Sequence, residues 1–458
     1  MTSAEIVICG AGIAGVAVAY ELAVRRGVRD VLLVDERPPL SLTSDKSTEC
    51  YRNFWPGPGD AMVALMDRSI DMLERLAGET DNRIHLNRRG YLYASSAPDG
   101  PERLRAAAEE AVALGAGPLR VHDGRLGAPA YAPAPHEGYA GQPAGADLIL
   151  DSALIRQHFP FLDDAVTALL HTRRAGWFSA QQLGMVLLER ARAAGVRLRN
   201  ARLISIEQTN GRVTGVRLAD GAATERVATE TFVNAAGPLL REVGLMAGAD
   251  LPIFCELHAK AAFNDLQGAV PRGAPMLICA DPVALPWSAE ERADLAETEE
   301  TRALLEPLPA GAHLRPEGGL DSTTLLLLWN YHAGPTAPVF PPPLDPLLPE
   351  IALRGLATLV PGLRAYIGRM PRPYLDGGYY TRTPENRPLV GPLPTQGAFV
   401  LGALSGYGVM AACAAAELLA DHILGNTLPH YAPALHPDRY ADPTYQALLD
   451  DWGETGQL

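Results

Sequence analysis

The sequence is nearly free of lysine, since Lys46 and Lys260 are the only two among its 458 residues. Acidic residues outnumber basic ones by 53 to 39, which gives a formal net charge of -14. Such a chain repels the phosphates of nucleic acids and the anionic surface of a membrane, so neither is expected as a partner. The lysine ammonium is a compact charge whose pKa shifts when it is buried, so either lysine is a candidate for a functional role. A general preference for arginine over lysine would also explain why lysine is so scarce.

Paired cysteines and long apolar runs are also missing. The five cysteines are scattered without a C-x-x-C pair, which argues against a disulfide framework and a zinc site. No apolar run reaches the ~18 residues that cross a bilayer, and the first predicted strand begins at Ile6, which leaves no room for a signal peptide. We therefore expect a soluble cytoplasmic protein without a metal site, with a small-molecule partner and two domains.

A glycine-rich turn near the N-terminus is the most specific motif. An apolar run leads into Gly10-Ala11-Gly12-Ile13-Ala14-Gly15, and a second apolar run ends on Asp35. Gly10 permits a tight strand-to-helix turn, Gly12 lets backbone N–H groups approach a pyrophosphate, and Gly15 lets the helix pack close to the strand. Asp35 is placed to accept hydrogen bonds from an adenosine ribose. The motif predicts a dinucleotide site for which both NAD and FAD remain open.

Hydrophobic periodicity predicts the elements around this motif. The spacing predicts helices over 13–26, 62–76, 101–114, 182–194, 289–306 and 409–424, and strands over 88–94, 203–206, 213–218, 231–234, 256–261, 329–332 and 399–401. Asn210-Gly211 predicts a hairpin turn. A Gly/Ala/Pro-rich passage before residue 145 predicts an inserted loop or lid, and the segment 335–349 is too rich in proline for a helix or a strand.

Three sequence blocks in one order carry a family resemblance. They are the glycine-rich turn, then Val233-Asn234-Ala235-Ala236-Gly237-Pro238, then a Thr-Pro…Pro-Leu-Val-Gly-Pro block followed by Gly402-Ala403-Leu404-Ser405-Gly406-Tyr407-Gly408. The order resembles the D-amino-acid oxidase superfamily, and most of all its glycine oxidase and sarcosine oxidase branch. The resemblance implies FAD rather than NAD. It implies non-covalent FAD, because Gly378 stands where monomeric sarcosine oxidases carry the cysteine that bonds to flavin.

The resemblance also implies the fold, of class α/β plus α+β. A Rossmann-like FAD-binding domain of the ββα dinucleotide type is expected to be discontinuous, over residues 1–88, 165–246 and 381–458. A substrate domain built on a mixed or antiparallel β-sheet is expected over 89–164 and 247–380. The sheet of this second domain would cover the substrate cavity.

Cofactor contacts are assigned from the motif and from the resemblance together. The start of the helix after Tyr407 would stabilise negative charge on a reduced flavin through its unpaired N–H groups. The segment Thr43–Thr48 resembles the family's serine-rich stretch along the pyrophosphate and flavin, although Lys46 also fits a solvated loop. The expected cofactor-binding residues are Gly10, Gly12, Ile13, Ala14, Gly15, Asp35, Glu36, Ser44, Lys46, Ser47, Thr48, Leu203, Ala236, Gly237, Gly406, Tyr407, Gly408, Val409 and Met410.

Departures from the family bear on the substrate. Tyr380 stands where glycine and D-amino-acid oxidases carry the arginine that binds a substrate carboxylate, whereas sarcosine oxidases have a tyrosine there. Met410 stands where monomeric sarcosine oxidases have a carboxylate-binding lysine. Arg52, Arg382 and Arg387 are candidates to replace this clamp, and Arg52 is the best of them because it ends the flavin-proximal segment.

A stripe of ionisable residues is the second place with dense chemistry. Strict alternation puts Glu256, His258 and Lys260 on one face of a predicted strand, which is either an ordinary solvated stripe or a face turned toward the flavin. Lys260 would then assist the reduction of oxygen or hold a substrate anion. His258 would accept a proton from a substrate ammonium. Trp329 and Tyr331 are expected on one side of the 329–332 strand, as a cavity wall or as core.

Together with the resemblance to the D-amino-acid oxidase superfamily, these residues predict an FAD-dependent amine or amino-acid oxidase or dehydrogenase. Hydride would pass from a carbon next to nitrogen to flavin N5, the imine would be hydrolysed, and oxygen would be the acceptor. The expected catalytic residues are His258, Lys260, Tyr380, Arg52 and Tyr407. Oxidation of a 2-hydroxy acid, oxidative cyclisation in biosynthesis, and a non-catalytic flavoprotein assembly or binding factor remain alternatives, and the oligomeric state stays open.

Overall fold

The structure is a computed structural model that describes residues 2–332, 334–450 and 452–453. Its strands are β1 (Thr2–Ser3), β2 (Ile6–Cys9), β3 (Val31–Asp35), β4 (Cys50–Arg52), β5 (Tyr91–Ser95), β6 (Leu119–His122), β7 (Ala146–Ile149), β8 (Ala168–Thr172), β9 (Ala175–Trp177), β10 (Arg197–Asn200), β11 (Arg202–Thr209), β12 (Arg212–Asp220), β13 (Ala223–Ala228), β14 (Thr231–Asn234), β15 (Phe254–Asn264), β16 (Met276–Cys279), β17 (His313–Pro316), β18 (Thr324–Leu328), β19 (Pro335–Thr336), β20 (Tyr374–Arg382), β21 (Leu389–Pro392) and β22 (Ala398–Gly402). Its helices are α1 (Ile13–Tyr20), α2 (Ala61–Glu79), α3 (Gly100–Ala113), α4 (Ser152–His158), α5 (Ala180–Ala193), α6 (Leu240–Met246), α7 (Ala289–Leu295), α8 (Glu299–Arg302), α9 (Leu348–Leu356), α10 (Gly408–Leu424) and α11 (Pro443–Asp450).

A six-stranded sheet carries the glycine-rich turn. Its strand order is β10-β3-β2-β14-β22-β21, and all neighbours are parallel except β21 and β22. Because the strands are parallel, the turn after β2, Asp35 at the end of β3 and Asn234 at the end of β14 meet at one edge of the sheet. This edge is where open parallel sheets bind nucleotides, and the sheet confirms the predicted Rossmann-like part of the fold.

A ten-stranded sheet forms the second layer of the protein. Its order is β19-β15-β18-β17-β16-β5-β8-β7-β6, with β20 paired to β15. The pairs β5/β16 and β6/β7 are parallel and the other pairs are antiparallel. The sheet is therefore mixed, as predicted for the substrate part of the chain.

Two smaller sheets complete the fold. β1, β13, β12 and β11 form a four-stranded sheet, in which β11 and β12 make the hairpin predicted at Asn210-Gly211. β4 pairs with β9, so that Arg52 lies opposite Ala175. This short pair carries the segment after Asp35 toward the ten-stranded sheet.

The helices of the cofactor side differ in one respect from prediction. The helix expected over 13–26 is α-helical only to Tyr20 and continues as a π-helical turn over Glu21–Arg25. This turn buries the Glu21 side chain, which accepts a hydrogen bond from Arg26 Nε at 2.9 Å. α10 is rich in alanine and packs between α1 and α2, but within the described residues no helix is long and apolar enough to span a membrane.

Two other predicted elements are wrong in extent. Residues 329–332, expected as a strand, form none, because β18 ends at Leu328. Trp329 is buried and donates its indole N–H to Pro309 O at 2.9 Å, and the Tyr331 hydroxyl donates to Asp345 at 2.7 Å. The acidic helix expected over 289–306 is divided into α7, α8 and a 3-10 turn. The two rings do meet edge-on, with centres 5.8 Å apart, but Trp329 lines a cavity and Tyr331 packs behind it.

Candidate active site

A first cavity of about 860 Å³ opens at the carboxyl ends of β2, β3 and β14. Its walls are the glycine-rich turn, the end of β3 with the segment after it, the residues after β14, part of β20 and the start of α10. The expected cofactor residues that line it are Gly10, Gly12, Ile13, Ala14, Asp35, Ser44, Ser47, Ala236, Gly237, Gly406, Gly408 and Val409. We call this space the cofactor cavity.

The glycines of the turn fit a bound pyrophosphate. A Cβ on Gly10, whose φ is +106°, would lie 2.3 Å from Ala235 O, and a Cβ on Gly15 would lie 1.8 Å from Gly10 O. Gly12 is different, because a Cβ there would meet only Ser44 Oγ, at 3.3 Å, on the side of the cavity. Gly10 and Gly15 therefore let the backbone pack closely, whereas Gly12 leaves room for a ligand at the start of α1.

Two side chains fix the turn from the opposite wall. Asp35 accepts hydrogen bonds from the N–H groups of Ala11 at 2.7 Å and Arg37 at 2.9 Å, and Ser44 Oγ accepts one from Ile13 N at 2.9 Å. Burial raises the pKa of Asp35, although these N–H groups counteract the effect. The carboxylate thus lies at the end of β3 with its orientation set, where a ribose of FAD would meet it.

The start of α10 is shared by the cofactor cavity and its neighbour. No side chain within the described residues caps this helix, so its first N–H groups remain available to a negatively charged ligand edge. A Cβ on Gly406 would lie 2.4 Å from the Tyr380 ring, so glycine is required for the ring to lie against the turn. This geometry fits the flavin end of FAD, and the residues of the whole cavity fit the cofactor.

A second cavity, of about 690 Å³, adjoins the first and shares Tyr380 and Gly406 with it. Its basic and aromatic lining residues are Lys46, Arg52, Lys260, His258, His313, Trp55, Tyr91, Trp329, Tyr380 and Tyr407. Among the described residues, no aspartate or glutamate lines it. The cavity therefore favours a ligand that carries negative charge and some apolar surface, and we call it the substrate cavity.

Arg52 places a positive charge against an aromatic wall of the substrate cavity. The residue is 5% exposed, and its guanidinium carbon lies 4.4 Å from the centre of the Trp55 ring and 5.8 Å from that of Tyr91. Its Nε donates to Phe54 O at 3.0 Å, and the Tyr407 ring meets Trp55 edge-on at 5.1 Å. The guanidinium is held in one orientation by these contacts.

The predicted ionisable stripe forms on β15. Glu256 Oε2 lies 3.2 Å from His258 Nε2, which confirms that the two side chains share a face, and Lys260 lines the same cavity as His258. The Tyr380 ring stacks on the His258 ring with centres 3.9 Å apart. Burial lowers the pKa of His258, although Glu256 counteracts it, and the ring is therefore neutral at neutral pH. Burial raises the pKa of Tyr380 to about 12.

Lys260 binds main chain. Its Nζ donates to Lys46 O at 3.0 Å and Ser47 O at 2.6 Å, while Arg315 Nε donates to Thr48 O at 3.0 Å. Burial lowers the pKa of Lys260, although neighbouring carboxylates counteract it. Two cations of the ten-stranded sheet thus hold three successive carbonyls of the segment that follows Asp35.

Several residues expected at the cofactor lie on the substrate side. Lys46 pairs with Asp45 at 2.7 Å and with Asp376 of β20 at 3.3 Å, which draws its side chain toward the ten-stranded sheet. The residues expected at the cofactor that line the substrate cavity are Lys46, Thr48, Tyr407 and Met410, besides Gly406 on the shared wall. The Tyr407 hydroxyl donates to Asn386 O at 2.9 Å, so its ring and not its hydroxyl forms the wall.

Other expected residues lie away from both cavities. Leu203 is buried in β11, in the apolar cluster between the four-stranded and six-stranded sheets, and Glu36 is half-exposed beside Arg37. Arg382 donates to Glu256 at 3.0 Å, and Arg387 donates to Pro58 O and packs on a C-terminal tryptophan ring. Of the three arginines proposed for a carboxylate clamp, Arg52 is the one that lines the substrate cavity.

Sequence reasoning missed part of the substrate cavity. The missed residues include Cys50, Trp55, Tyr91, Met276, His313 and Leu328. Trp55 could have been predicted from the sequence, because it lies three residues after Arg52, which was an expected site residue. His313 gives no local signal, since its place depends on the pairing of β17 with β16 and β18, and burial lowers its pKa to about 4.

The parallel sheet with its glycine-rich turn, and the cavity at the carboxyl edge of that sheet, define a dinucleotide-binding protein. The chain belongs to the DAO family, described as FAD dependent oxidoreductase, whose sequence model matches residues 5–422. The resemblance stated from the sequence blocks is thereby confirmed, and so is FAD as the cofactor.

Relatives and solved structures agree with this family. The chain is 24% identical over 444 residues to mitochondrial dimethylglycine dehydrogenase of Rattus norvegicus, covering 95% of this chain and 45% of that protein. It thus spans less than half the length of that relative. Its fold is similar to L-proline dehydrogenase from P. horikoshii (TM-score 0.72, 20% identity, 96% and 98% of the two chains) and to glycine oxidase from Geobacillus kaustophilus (0.69, 18%, 93% and 96%).

Proposed function

We propose that this oxidoreductase oxidises the C–N bond of a small amine that carries a carboxylate, an amino acid or an N-substituted amino acid. The observation that supports this proposal is the substrate cavity, whose charged lining groups among the described residues are all basic and which meets the cofactor cavity at Tyr380 and Gly406. The relatives agree in chemistry, because their names refer to dimethylglycine, L-proline and glycine.

Arg52 would bind the substrate carboxylate. Its guanidinium is buried and rigid on the Trp55 ring, and a guanidinium can donate two parallel hydrogen bonds to the two oxygens of a carboxylate. The aromatic rings around it would accommodate the substituents on nitrogen and carbon and would exclude water from the reacting carbon. Bound in this way, the amine would lie between Arg52 and the wall that both cavities share.

His258 would remove the proton from the substrate ammonium, since only the neutral amine readily loses hydride from the adjacent carbon. FAD, when bound, supplies a ring nitrogen, N5, that accepts this hydride, and water then hydrolyses the resulting imine. The ring of His258 is neutral, lines the cavity and is kept in one plane by the Tyr380 stack. We take oxygen as the electron acceptor and FAD as non-covalently bound.

Anaerobic reduction of the purified holoenzyme by a panel of compounds tests the proposal. The panel is N,N-dimethylglycine, sarcosine, L-proline, glycine and iminodiacetate, with glycolate and L-lactate as hydroxy acids and the methyl ester of each amine as a control. We expect at least one amino acid to bleach the flavin faster than its ester and every hydroxy acid. Admission of air should then restore the absorption, and acid precipitation should leave free FAD in solution.

Each other outcome selects a different function. Bleaching by hydroxy acids alone would replace amine oxidation by 2-hydroxy acid oxidation, and a cyclic product would indicate oxidative cyclisation. Equal rates of flavin bleaching by an amino acid and by its methyl ester would show that Arg52 does not bind the substrate carboxylate. A flavin that no compound reduces would favour a non-catalytic binding or assembly factor.

A further inference from the structure

A carboxylate contacts the His258 ring without lining the substrate cavity. Glu256 is 8% exposed, and its Oε2 is 3.2 Å from His258 Nε2 and 3.0 Å from Arg382 Nη1. It does not line the substrate cavity, whereas His258 does. The three side chains therefore form a row, Arg382–Glu256–His258, that ends at the cavity wall.

The contact with Glu256 determines which ring nitrogen of His258 carries the hydrogen. An ionised carboxylate can only accept, so it selects the tautomer with the hydrogen on Nε2 and leaves a lone pair on Nδ1. Asn330 Nδ2 stands 3.3 Å from the same Nε2 and would favour the opposite tautomer. The carboxylate prevails, because a hydrogen bond to an ionised acceptor is stronger than one between neutral groups.

The surrounding strands keep this row rigid. Glu256 lies opposite Tyr380 in the β15/β20 pair, and His258 lies opposite Gly378. Arg382 is 8% exposed, and burial of the row removes the water that would otherwise compete for Glu256. The Tyr380 ring covers one face of the His258 ring, which fixes the plane of the imidazole.

We propose that Glu256 is a positioning residue for His258: it holds the imidazole with Nδ1 as the proton acceptor and stabilises the imidazolium that forms, while Arg382 holds Glu256 in place. The inference rests on the proposed function, in which His258 takes the proton from the substrate ammonium. In that step the N–H bond of the ammonium breaks, the proton binds Nδ1, and the amine keeps the electron pair. The negative charge of Glu256 lies next to the positive charge produced on the ring.

Several other groups face His258. They are Lys260 on β15, Tyr380 and Arg382 on β20, His313 on β17, Arg52 on β4, Lys46 in the segment before β4 and Asn330 after β18. Glu256 is the carboxylate that touches the ring. Its replacement by glutamine keeps the shape and removes the charge, so the pKa of His258 should fall.

Titration of His258 in the FAD-loaded enzyme tests the inference without a substrate. Histidine labelled with ¹³C in the ring gives one NMR signal per imidazole, and the signal lost in His258→Asn identifies His258. In Glu256→Gln this signal should titrate at least about one pH unit lower than in the wild type. Glu256→Asp should restore most of the difference, and Glu350→Gln, which removes another arginine-paired carboxylate, should leave it unchanged.

A double-mutant cycle on flavin reduction tests the link to chemistry. With the panel amine that reacts fastest, Glu256→Gln should slow anaerobic reduction about tenfold and move the acid limb of the pH profile to lower pH. In a His258→Asn background the same substitution should have no further effect. An equal slowing in both backgrounds, or an unchanged His258 titration, would overturn the inference. If Glu256→Gln shifts the His258 titration but no amine reduces the flavin, the proposed function is wrong while the positioning of His258 by Glu256 stands.

Discussion

At the scale of single residues, the substrate cavity holds three cationic side chains in different ways. Arg52 lies on the faces of Trp55 and Tyr91, whereas Lys260 binds main-chain carbonyls and Lys46 binds carboxylates. A guanidinium packed on aromatic rings keeps its planar set of N–H donors in one orientation. We therefore expect recognition of a substrate carboxylate to depend most on Arg52.

Replacing Arg52 by Met should raise the KM for the reactive amino acid about 10- to 100-fold, because a hydrogen bond to a charged group contributes about 1.5–3 kcal/mol. Arg52→Lys keeps the positive charge but lacks the planar set of N–H donors of a guanidinium, so an intermediate KM is expected. Steady-state kinetics with the acid and its methyl ester measure the effect, since Arg52→Met should lose the preference for the acid. Arg241→Met, on an exposed arginine, is the control, and a preserved preference in Arg52→Met would refute the role.

At the scale of elements, the C-terminal segment is fixed to the loop after β20 by one buried ion pair. Glu385 Oε1 accepts from Arg439 at 2.8 and 3.0 Å, from Tyr440 at 2.7 Å and from Tyr445 at 2.9 Å. Both charged side chains are almost fully buried. The loop also provides, at Asn386, the carbonyl that binds the Tyr407 hydroxyl, so the C-terminal segment supports a wall of the substrate cavity.

Glu385→Gln should lower the free energy of unfolding by about 3–5 kcal/mol, because the charge of Arg439 is left buried without its partner. Burial opposes ionisation of Glu385, but the Arg439 charge and the hydrogen bonds outweigh it and hold its pKa below the ordinary value. The pair therefore stabilises the fold fully above the ordinary glutamate pKa of about 4.3, and this stabilisation is lost as the pH falls through the lower folded value.

Urea denaturation of wild type and Glu385→Gln between neutral and acidic pH measures this dependence. The difference between the two proteins should be constant near neutrality and should shrink in acid. Asp250→Asn, which breaks an exposed pair with Arg241, is the matched control and should leave stability unchanged. A difference that does not change with pH would refute the electrostatic origin.

The sequence predicts elements where the requirement is local. The turn Gly10–Gly15 and the acid Asp35 are recognisable because close backbone approach demands glycine and the carboxylate accepts from the N–H groups of the turn, so the position of the cofactor cavity followed from the motif. The substrate cavity did not, because residues such as His313 and Met276 reach it only through the strand order of the ten-stranded sheet. Trp329 was placed on a strand, since alternation alone does not reveal where a strand ends.

At the scale of the whole molecule, the cations Lys260 and Arg315 join the ten-stranded sheet to residues 46–49 of the segment after β3. The division of the chain into a cofactor domain and a substrate domain stays a prediction, but the contact between the two parts is clear. Arg315 is fully buried, with Glu49 at 3.3 Å, Glu317 at 2.6 Å and the Trp177 ring centre at 5.2 Å. Together with Lys260 it fixes the segment on which the cofactor cavity depends.

Arg315→Met should therefore release FAD about tenfold faster than the wild type, which corresponds to about 1.4 kcal/mol of lost binding. Arg354→Met is the matched control, because Arg354 is also buried with two glutamates and the Trp287 ring but lies away from both cavities. Flavin fluorescence after dilution measures release. Both variants should lose stability, and equally fast release from both would contradict a specific effect of Arg315.

The scarcity of lysine has a practical consequence for chemical labelling. Both lysines of the sequence lie on the wall of the substrate cavity and are partly exposed, and the Lys260 ammonium is bound to two main-chain carbonyls. Apart from the N-terminal amine, an amine-selective acylating reagent followed by peptide mapping therefore reads out one small region of a 458-residue chain. Adduct yield at Lys46, measured with and without a bound carboxylic acid, gives a footprint of ligand occupancy that requires neither turnover nor a known substrate.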